Sequence, residues 1–221
     1  MGKSIAIDGP AGAGKSTIAK MVAKELGFIY VDTGAMYRAM ALYLIRRGID
    51  ADDTAGIEKA CEDADISISY ENDTQVILLG GENVNAFLRT EEVGNMASVS
   101  STNGKVRKKL VALQQKLADE KDVVMDGRDI GTVVLPNSRC KIYLTASSAV
   151  RAKRRYDELT EKGLREDLAR IEEDIIKRDQ RDMTRSNSPL RQAEDAVLID
   201  SSDMTIDEVK DAILTIAKEK L

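Results

Sequence analysis

Eight residues near the start of the chain follow the spacing Gly-x-x-x-x-Gly-Lys-Ser; they are Gly9-Pro10-Ala11-Gly12-Ala13-Gly14-Lys15-Ser16. Glycines let a backbone curl until successive N–H groups point inward at a phosphate, and the next helix adds its positive N-terminal dipole. In such loops the lysine bridges the β- and γ-phosphates and the serine hydroxyl coordinates Mg²⁺. The pattern therefore predicts binding of a nucleoside triphosphate, without identifying a reaction.

Two further residues could complete this site. Thr17 could contact the α-phosphate, or it could simply belong to the first turn of the following helix. Asp126 ends an apolar run, at the strand end where open α/β sheets bind their ligands. We expect Asp126 to hold a water bound to Mg²⁺, whereas Ser16 binds the ion directly.

Composition limits the chemistry that the remaining side chains can perform. The chain has 221 residues and no histidine, which excludes imidazole bases, histidine zinc sites and Ser/His or Cys/His pairs. The formal net charge of -5 argues against a nucleic-acid polymer as partner. Carboxylates, Lys, Arg, hydroxyls, backbone amides and metal remain.

No apolar run is long enough to cross a membrane, and the start of the chain turns polar too soon for a secretory signal. We therefore expect a cytoplasmic protein with no membrane partner, and a monomer. Cys61 and Cys140 are expected to be reduced and separate, and no role is assigned to them.

Short apolar runs alternate with helical patterns, which predicts an α/β fold with a central parallel sheet of five strands. The predicted strands are 4–8, 28–31, 123–126, 141–144 and 197–200. The predicted helices are 15–26, 37–47, 106–119, 149–162, 167–182 and 206–220. Thr205 with Glu208 three residues later has the spacing of a capping box at the start of the last helix.

One segment departs from this alternation. Residues 66–70 and 75–79 alternate between apolar and polar, and the turn-forming Glu71-Asn72-Asp73-Thr74 joins them. The pattern predicts a β-hairpin inserted beside the main sheet.

A loop of this kind occurs in switches, motors and kinases. Other residues are therefore needed to predict which of these three classes of protein the chain belongs to. The Asn-Lys-x-Asp segment typical of guanine-specific switches is absent. A kinase with an anionic acceptor needs additional arginines, whose planar guanidinium groups bind phosphate through two hydrogen bonds. Arg38 follows a Thr33-Gly34 turn and lies early on a predicted helix, which suits such a clamp, although a solvated helix surface would also explain it.

Several segments, taken together in their order along the chain, resemble bacterial cytidylate kinase, a nucleoside-monophosphate kinase family of P-loop NTPases. The resemblance covers essentially the whole chain. The resemblance is carried by the hairpin insertion and by residues 8–17, 32–38 (Asp-Thr-Gly-Ala-Met-Tyr-Arg), 126–129 (Asp-Gly-Arg-Asp) and 178–182 (Arg-Asp-Gln-Arg-Asp). It implies transfer of the γ-phosphoryl group from ATP, with Mg²⁺, to CMP or dCMP. The family often has Ser where this chain has Thr33, and the hydroxyl is retained.

The resemblance also implies roles for individual residues. The catalytic residues would be Lys15, Arg128, Arg178 and Arg185. The acceptor phosphate and the transferring group would be bound by Thr33, Arg38, Arg128, Arg178 and Arg185, the sugar by Asp182, and cytosine by Ser98, Arg107 and Asp129. From spacing alone, Ser98 and Arg107 could be ordinary helix-surface residues, and Asp182 could pair with Arg178 one helical turn away.

The implied architecture is a single P-loop domain of three layers, α/β/α. Its core comprises residues 1–33, 106–148 and 192–221, its acceptor-binding region residues 34–105 and its helical lid residues 149–191. Arg151, Arg154 and Arg155 are further phosphate-binding candidates in the lid, where a solvated charged face is an equal explanation. The alternatives are a kinase for another monophosphate, including a mixed UMP/CMP kinase, a small-metabolite kinase of the shikimate type, and a non-enzymatic regulator that binds ATP.

Overall fold

The computed structural model describes residues 2–71 and 74–221. The strands in these residues are β1 (Ser4–Asp8), β2 (Ile29–Asp32), β3 (Ile66–Glu71), β4 (Thr74–Leu79), β5 (Glu82–Asn83), β6 (Val123–Gly127), β7 (Cys140–Thr145) and β8 (Val197–Asp200). The α-helices are α1 (Lys15–Leu26), α2 (Thr33–Arg46), α3 (Thr54–Asp63), α4 (Glu91–Ser100), α5 (Gly104–Glu120), α6 (Ser148–Glu161), α7 (Leu168–Thr184) and α8 (Ile206–Lys220).

The predicted α/β fold is confirmed. Five strands form the main sheet in the order β2-β6-β1-β7-β8. The parallel register sets Asp8 of β1 opposite Tyr143 of β7, and Thr145 of β7 opposite Asp200 of β8. The carboxyl ends of these strands therefore meet at one edge, which is where a parallel sheet of this kind binds its ligands.

The described residues divide into two compact units. The first comprises Ile29–Val123 with Gly2, and the second comprises Lys3–Phe28 with Val124–Leu221. In the first unit, β3, β4 and β5 form an antiparallel sheet, α2 packs against α4 and β4, and α3 packs against α5. Its core is built from fully buried side chains, among them Met36, Met40, Leu44, Ile77 and Leu110.

The second unit carries the glycine loop. Helix α1 packs against α8, α8 against β7, and α6 against α7. Fully buried side chains of the strands and of α8 form its core, among them Ile5, Ile7, Ile142, Leu144 and Ile213. The apolar run Ile5-Ala6-Ile7 that predicts β1 is buried because helices cover the sheet.

The bounds of β1, α1, β8 and α8 are as predicted, and the hairpin is confirmed as β3 paired with β4, from Ile66 opposite Leu79 to Glu71 opposite Thr74. Asn72 and Asp73 of its predicted turn lie outside the described residues. The Thr205 capping box is also confirmed, because its hydroxyl accepts from the Glu208 N–H and the Glu208 carboxylate accepts from the Thr205 N–H.

The prediction of a turn at Thr33-Gly34 is wrong. Both residues are helical, because the Asp32 side chain accepts a hydrogen bond of 2.9 Å from the Ala35 N–H and so starts α2 four residues before the predicted position. Helices α3 and α4 and the two-residue strand β5 were not predicted. Within the described ranges, no helix combines the length and apolar character needed to span a membrane.

Candidate active site

The glycine loop takes the shape that its sequence predicts. Gly9, Gly12 and Gly14 have φ values of 151°, 75° and 84°, which other residues adopt only under strain. A Cβ atom on Gly9 would lie 1.9 Å from the Leu144 carbonyl oxygen. Glycine is therefore required at position 9 for two reasons: the backbone has a positive φ there, and the loop passes too close to β7 to leave room for a side chain.

The helix after this loop begins without a side-chain cap. Gly14 precedes α1 and offers no side-chain acceptor, whereas each of the other α-helices in the described ranges has an Asp, Asn, Ser or Thr cap. An N-terminus of this kind binds anions through its N–H groups and its dipole. Both features suit the phosphates of a nucleotide.

Lys15 is buried at the start of α1, and its Nζ donates a hydrogen bond of 2.6 Å to the Pro10 carbonyl oxygen. Burial is the largest cause that lowers its pKa, to about 7, and the positive charge of Arg128 adds to it. Asp126 and Asp8 oppose this shift, and Arg178 contributes to it. Within the second unit, Arg128, Arg178 and Asp126 therefore lie close enough to Lys15 to affect the charge of its amine.

Ser16 and Asp126 form a pair although 110 positions separate them in sequence. The Ser16 hydroxyl donates a hydrogen bond of 2.9 Å to Asp126 Oδ2, and Asp126 is 5% exposed. Mg²⁺ takes one or two protein oxygens while keeping waters and binding substrate phosphates. A hydroxyl and a carboxylate at this distance fit such an ion.

Asp8, at the end of β1, was not predicted as a site residue. Its two carboxylate oxygens accept hydrogen bonds of 2.7 Å each from the N–H groups of Ile130 and Gly131. These residues open a π-helical turn, Ile130–Val134, that follows Arg128 and Asp129. Burial raises the pKa of Asp8 to about 6 despite these bonds. The signal in the sequence is a carboxylate at the end of a buried strand, directly before the loop.

Asp179 was also missed, and it acts with Arg151. The guanidinium of Arg151 lies 2.6 Å from Asp179 Oδ2 and donates to the Ala11 carbonyl oxygen at 2.9 Å, while Asp179 Oδ1 accepts from the Ala11 N–H at 3.4 Å. Arg151 and Asp179 are 6% and 8% exposed. This buried ion pair therefore binds both the N–H and the carbonyl oxygen of Ala11 in the glycine loop.

The two other arginine candidates on α6, Arg154 and Arg155, have different partners. Arg154 donates to the hydroxyl and the carbonyl oxygen of Ser201, in the loop after β8, at 3.3 and 2.7 Å. Arg155 pairs with Glu158 on the exposed face of α6. The solvated-face explanation therefore describes Arg155 but not Arg151.

Two ion pairs join residues that were predicted to bind the acceptor. Arg128 Nε donates to Asp182 Oδ2 at 2.8 Å, so Asp182 has a partner on another element beyond the helical neighbour considered from sequence. Arg185 lies 3.8 Å from Asp129 Oδ1, with both side chains buried, and its Nε donates to the Ser188 carbonyl oxygen at 2.8 Å. All four predicted residues are thus oriented by partners within the second unit.

Four predicted acceptor residues, Thr33, Arg38, Ser98 and Arg107, belong to the first unit. Thr33 is buried at the start of α2, and a Cβ atom on Gly34 would lie 3.4 Å from a guanidinium nitrogen of Arg38. Arg107 on α5 is 5% exposed, with its guanidinium 5.5 Å from the centre of the Tyr37 ring and a hydrogen bond of 3.2 Å to the Ser101 carbonyl oxygen. Arg107 is therefore not a surface residue, whereas Ser98 is half-buried on α4.

The parallel sheet and the loop between β1 and α1 define a P-loop α/β protein, and the arginines around Lys15 are what phosphoryl transfer needs in this class. The cytidylate kinase family model matches residues 5–219. The chain belongs to the cytidylate kinase family, and it is an enzyme of the nucleoside-monophosphate kinase type.

Individual relatives agree with this assignment. The chain is 46% identical to the cytidylate kinase of Shouchella clausii over 218 residues, which cover 99% of this chain and 97% of that protein. It is 50% identical to the cytidylate kinase of Caldicellulosiruptor bescii over 211 residues, 96% and 93% of the two chains. These relatives do not favour the alternative of a non-enzymatic regulator.

The fold also occurs in a solved structure. A crystal structure of an uncharacterized protein from Eubacterium ventriosum superposes with a TM-score of 0.50 over 98% of both chains, at 13% identity. At that identity the likeness concerns the fold alone.

Proposed function

We propose that this enzyme transfers the γ-phosphoryl group of ATP to CMP or dCMP, giving ADP with CDP or dCDP. The observation that carries the proposal is the near full-length similarity to proteins named cytidylate kinase. The geometry of the glycine loop with Lys15, Ser16 and Asp126 supports the ATP half of the reaction.

The chemistry suits a chain without histidine. A phosphate monoester has a second pKa of about 6, so the acceptor oxygen is already ionised at neutral pH. No general base has to remove a proton, and catalysis consists of aligning the two nucleotides and neutralising the transferring group. Lys15, Arg128, Arg178 and Arg185 are the proposed cations.

Asp126 and Ser16 are proposed to hold magnesium, Ser16 directly and Asp126 through a water. The ion, when bound, withdraws charge from the phosphate oxygens. Residues 9–17 are proposed to bind ATP. The cluster of Lys15, Arg128 and Arg178 supports this role, because burial lowers the pKa of Lys15, the positive charges of Arg128 and Arg178 add to that effect, and a bound anion would oppose both.

The acceptor phosphate is proposed to be bound by Thr33, Arg38, Arg128, Arg178 and Arg185. Asp182 is proposed to bind the sugar. Ser98, Arg107 and Asp129 are proposed to read cytosine, which presents an amino donor at N4 and acceptors at N3 and O2. A carboxylate complements the donor, and an arginine or a serine complements the acceptors. Uracil reverses the polarity at positions 3 and 4, and each unpaired buried group costs about 1–3 kcal/mol.

Residues 34–105 are proposed as the acceptor-binding region and residues 149–191 as a lid, with residues 1–33, 106–148 and 192–221 as the core. Lid closure would exclude water and suppress hydrolysis of ATP. The enzyme is proposed to act as a monomer in the cytoplasm, where ATP and nucleoside monophosphates are available.

The experiment that tests the proposal is an acceptor panel. ADP release is measured with ATP, Mg²⁺ and each of AMP, CMP, dCMP, UMP, GMP and dTMP. We expect strong stimulation by CMP and dCMP and much weaker stimulation by the others. Equal stimulation by UMP would identify a mixed pyrimidine kinase, and no stimulation by any acceptor would overturn the proposal.

A further inference from the structure

Gln75 is a buried polar side chain on β4 that binds the backbone of β2. Its Oε1 accepts a hydrogen bond of 2.7 Å from the Asp32 N–H, and its Nε2 donates to the Asp32 carbonyl oxygen at 3.3 Å. Gln75 is 9% exposed. One side-chain amide therefore satisfies both backbone groups of a single residue, as a neighbouring strand would.

The residue that Gln75 holds starts the helix of the proposed phosphate clamp. Asp32 ends β2, and its carboxylate caps α2 through the Ala35 N–H. Thr33 is the first residue of that helix. A displacement of Asp32 along or across β2 would therefore move the Thr33 hydroxyl and the helical turn that carries Arg38.

Gln75 is itself fixed by its surroundings. Asn85 donates a hydrogen bond of 2.9 Å to the Gln75 carbonyl oxygen and accepts one of 3.0 Å from the Ile77 N–H. Across the hairpin, Gln75 is paired with Tyr70 of β3. The hairpin insertion thus presents Gln75 from a backbone that is held on both of its edges.

We propose that Gln75 is a positioning residue for the phosphate acceptor, which fixes the β2–α2 junction and through it Thr33 and Arg38. The proposal rests on the function proposed above. It assigns the hairpin insertion a role in binding the acceptor phosphate through the backbone of Asp32, without direct contact between Gln75 and the nucleotide.

Tyr70 provides a matched control. Its hydroxyl donates a hydrogen bond of 3.2 Å to the Tyr30 carbonyl oxygen, so it links the same hairpin to the same strand two residues before Asp32. Tyr70→Phe removes that link and leaves the Asp32 backbone bonded. A loss of stability common to both substitutions can therefore be separated from a loss of acceptor positioning.

The experiment compares Gln75→Met, Tyr70→Phe and the unaltered enzyme. The KM for CMP, the KM for ATP, kcat and the midpoint of thermal unfolding are measured for each. We expect Gln75→Met to raise the KM for CMP by about tenfold or more, since small displacements of binding groups have large effects, while the KM for ATP changes by less than about twofold. Tyr70→Phe should keep both KM values.

Other outcomes would overturn the proposal. An unchanged KM for CMP in Gln75→Met, or equal increases in Gln75→Met and Tyr70→Phe, would show a structural role only. If Gln75→Met does not fold, Gln75→Glu keeps the acceptor for the Asp32 N–H and loses the donor, and the same comparison applies. An unaltered enzyme that does not phosphorylate CMP would instead refute the proposed function.

Discussion

Lys15 combines two demands that conflict in the absence of a nucleotide. Its proposed contact with phosphates requires a position inside the glycine loop, yet burial and the neighbouring Arg128 disfavour its charged form and lower its pKa to about 7. A polyphosphate bound in the loop supplies negative charge and favours the protonated amine. The charge on Lys15 is therefore coupled to occupation of the site.

This coupling predicts that ATP binding takes up a proton at pH 8. Burial and the positive charge of Arg128 lower the pKa of the amine in the free enzyme, and bound phosphates would raise it, so we expect net proton uptake when ATP binds. Calorimetric titrations in buffers of different ionisation enthalpy measure it. Lys15→Met should show far less uptake at the same pH, and equal uptake in both proteins would contradict the assignment.

Asp129 lies in a buried pair with Arg185 and is the proposed partner of the cytosine amino group. We predict that Asp129→Ala lowers kcat/KM for CMP by at least about tenfold more than for UMP, because only cytosine loses a hydrogen bond there. Steady-state kinetics with both acceptors measure the ratio. Equal losses on CMP and UMP would indicate that Asp129 orients Arg185 and does not read the base.

The secondary-structure elements show which local sequence signals were sufficient to predict where an element begins and ends. Strand β1 and helix α1 were predicted to the residue, because a buried apolar run ends at a glycine loop and the helix ends at Gly27. Helices α3 and α4 and strand β5 were missed, although the buried residues Val93, Met96 and Ala97 of α4 have helical spacing; β5 has only two residues, both exposed. The early start of α2 depended on recognising Asp32 as a cap and accepting Gly34 within a helix.

The capping box of α8 should contribute to stability without affecting catalysis. Thr205 and Glu208 are exposed, and their reciprocal hydrogen bonds satisfy the N–H groups of Thr205, just before the helix, and of Glu208 in its first turn. We predict that Thr205→Ala lowers the free energy of unfolding by about 1 kcal/mol and leaves kcat unchanged. Denaturant titrations measure the change, and Thr205→Ser, which keeps the hydroxyl, should remain close to the unaltered protein.

Substrates should stabilise the whole chain by mass action. At a concentration about 100 times its Kd, a ligand that binds only the folded state adds about 2.7 kcal/mol to the free energy of unfolding. For a chain of 221 residues this corresponds to an increase of about 5–10 °C in Tm. We predict such increases with ATP and Mg²⁺ and separately with CMP, and a smaller one with UMP, measured by scanning calorimetry. No increase with CMP would count against the proposed acceptor.

Chemistry that depends on residues close together in the chain could be predicted from the amino-acid sequence. The glycine loop, the proposed magnesium ligand Ser16 and the cap of α8 follow from the spacing of neighbouring residues, and the order of the motifs along the chain was enough to indicate the family. Such features are local, because loop glycines and helix caps act on the backbone of neighbouring residues.

The partners of the buried polar side chains could not be predicted in this way. Asp8 with Gly131, Asp179 with Ala11 and Gln75 with Asp32 are separated by 123, 168 and 43 positions, and no sequence spacing predicts them. Each partnership forms because packing brings strand ends and helices together and leaves buried polar groups that must be satisfied. Packing in three dimensions therefore determines how these side chains and the loop are held, and the sequence motifs indicate which chemistry they support.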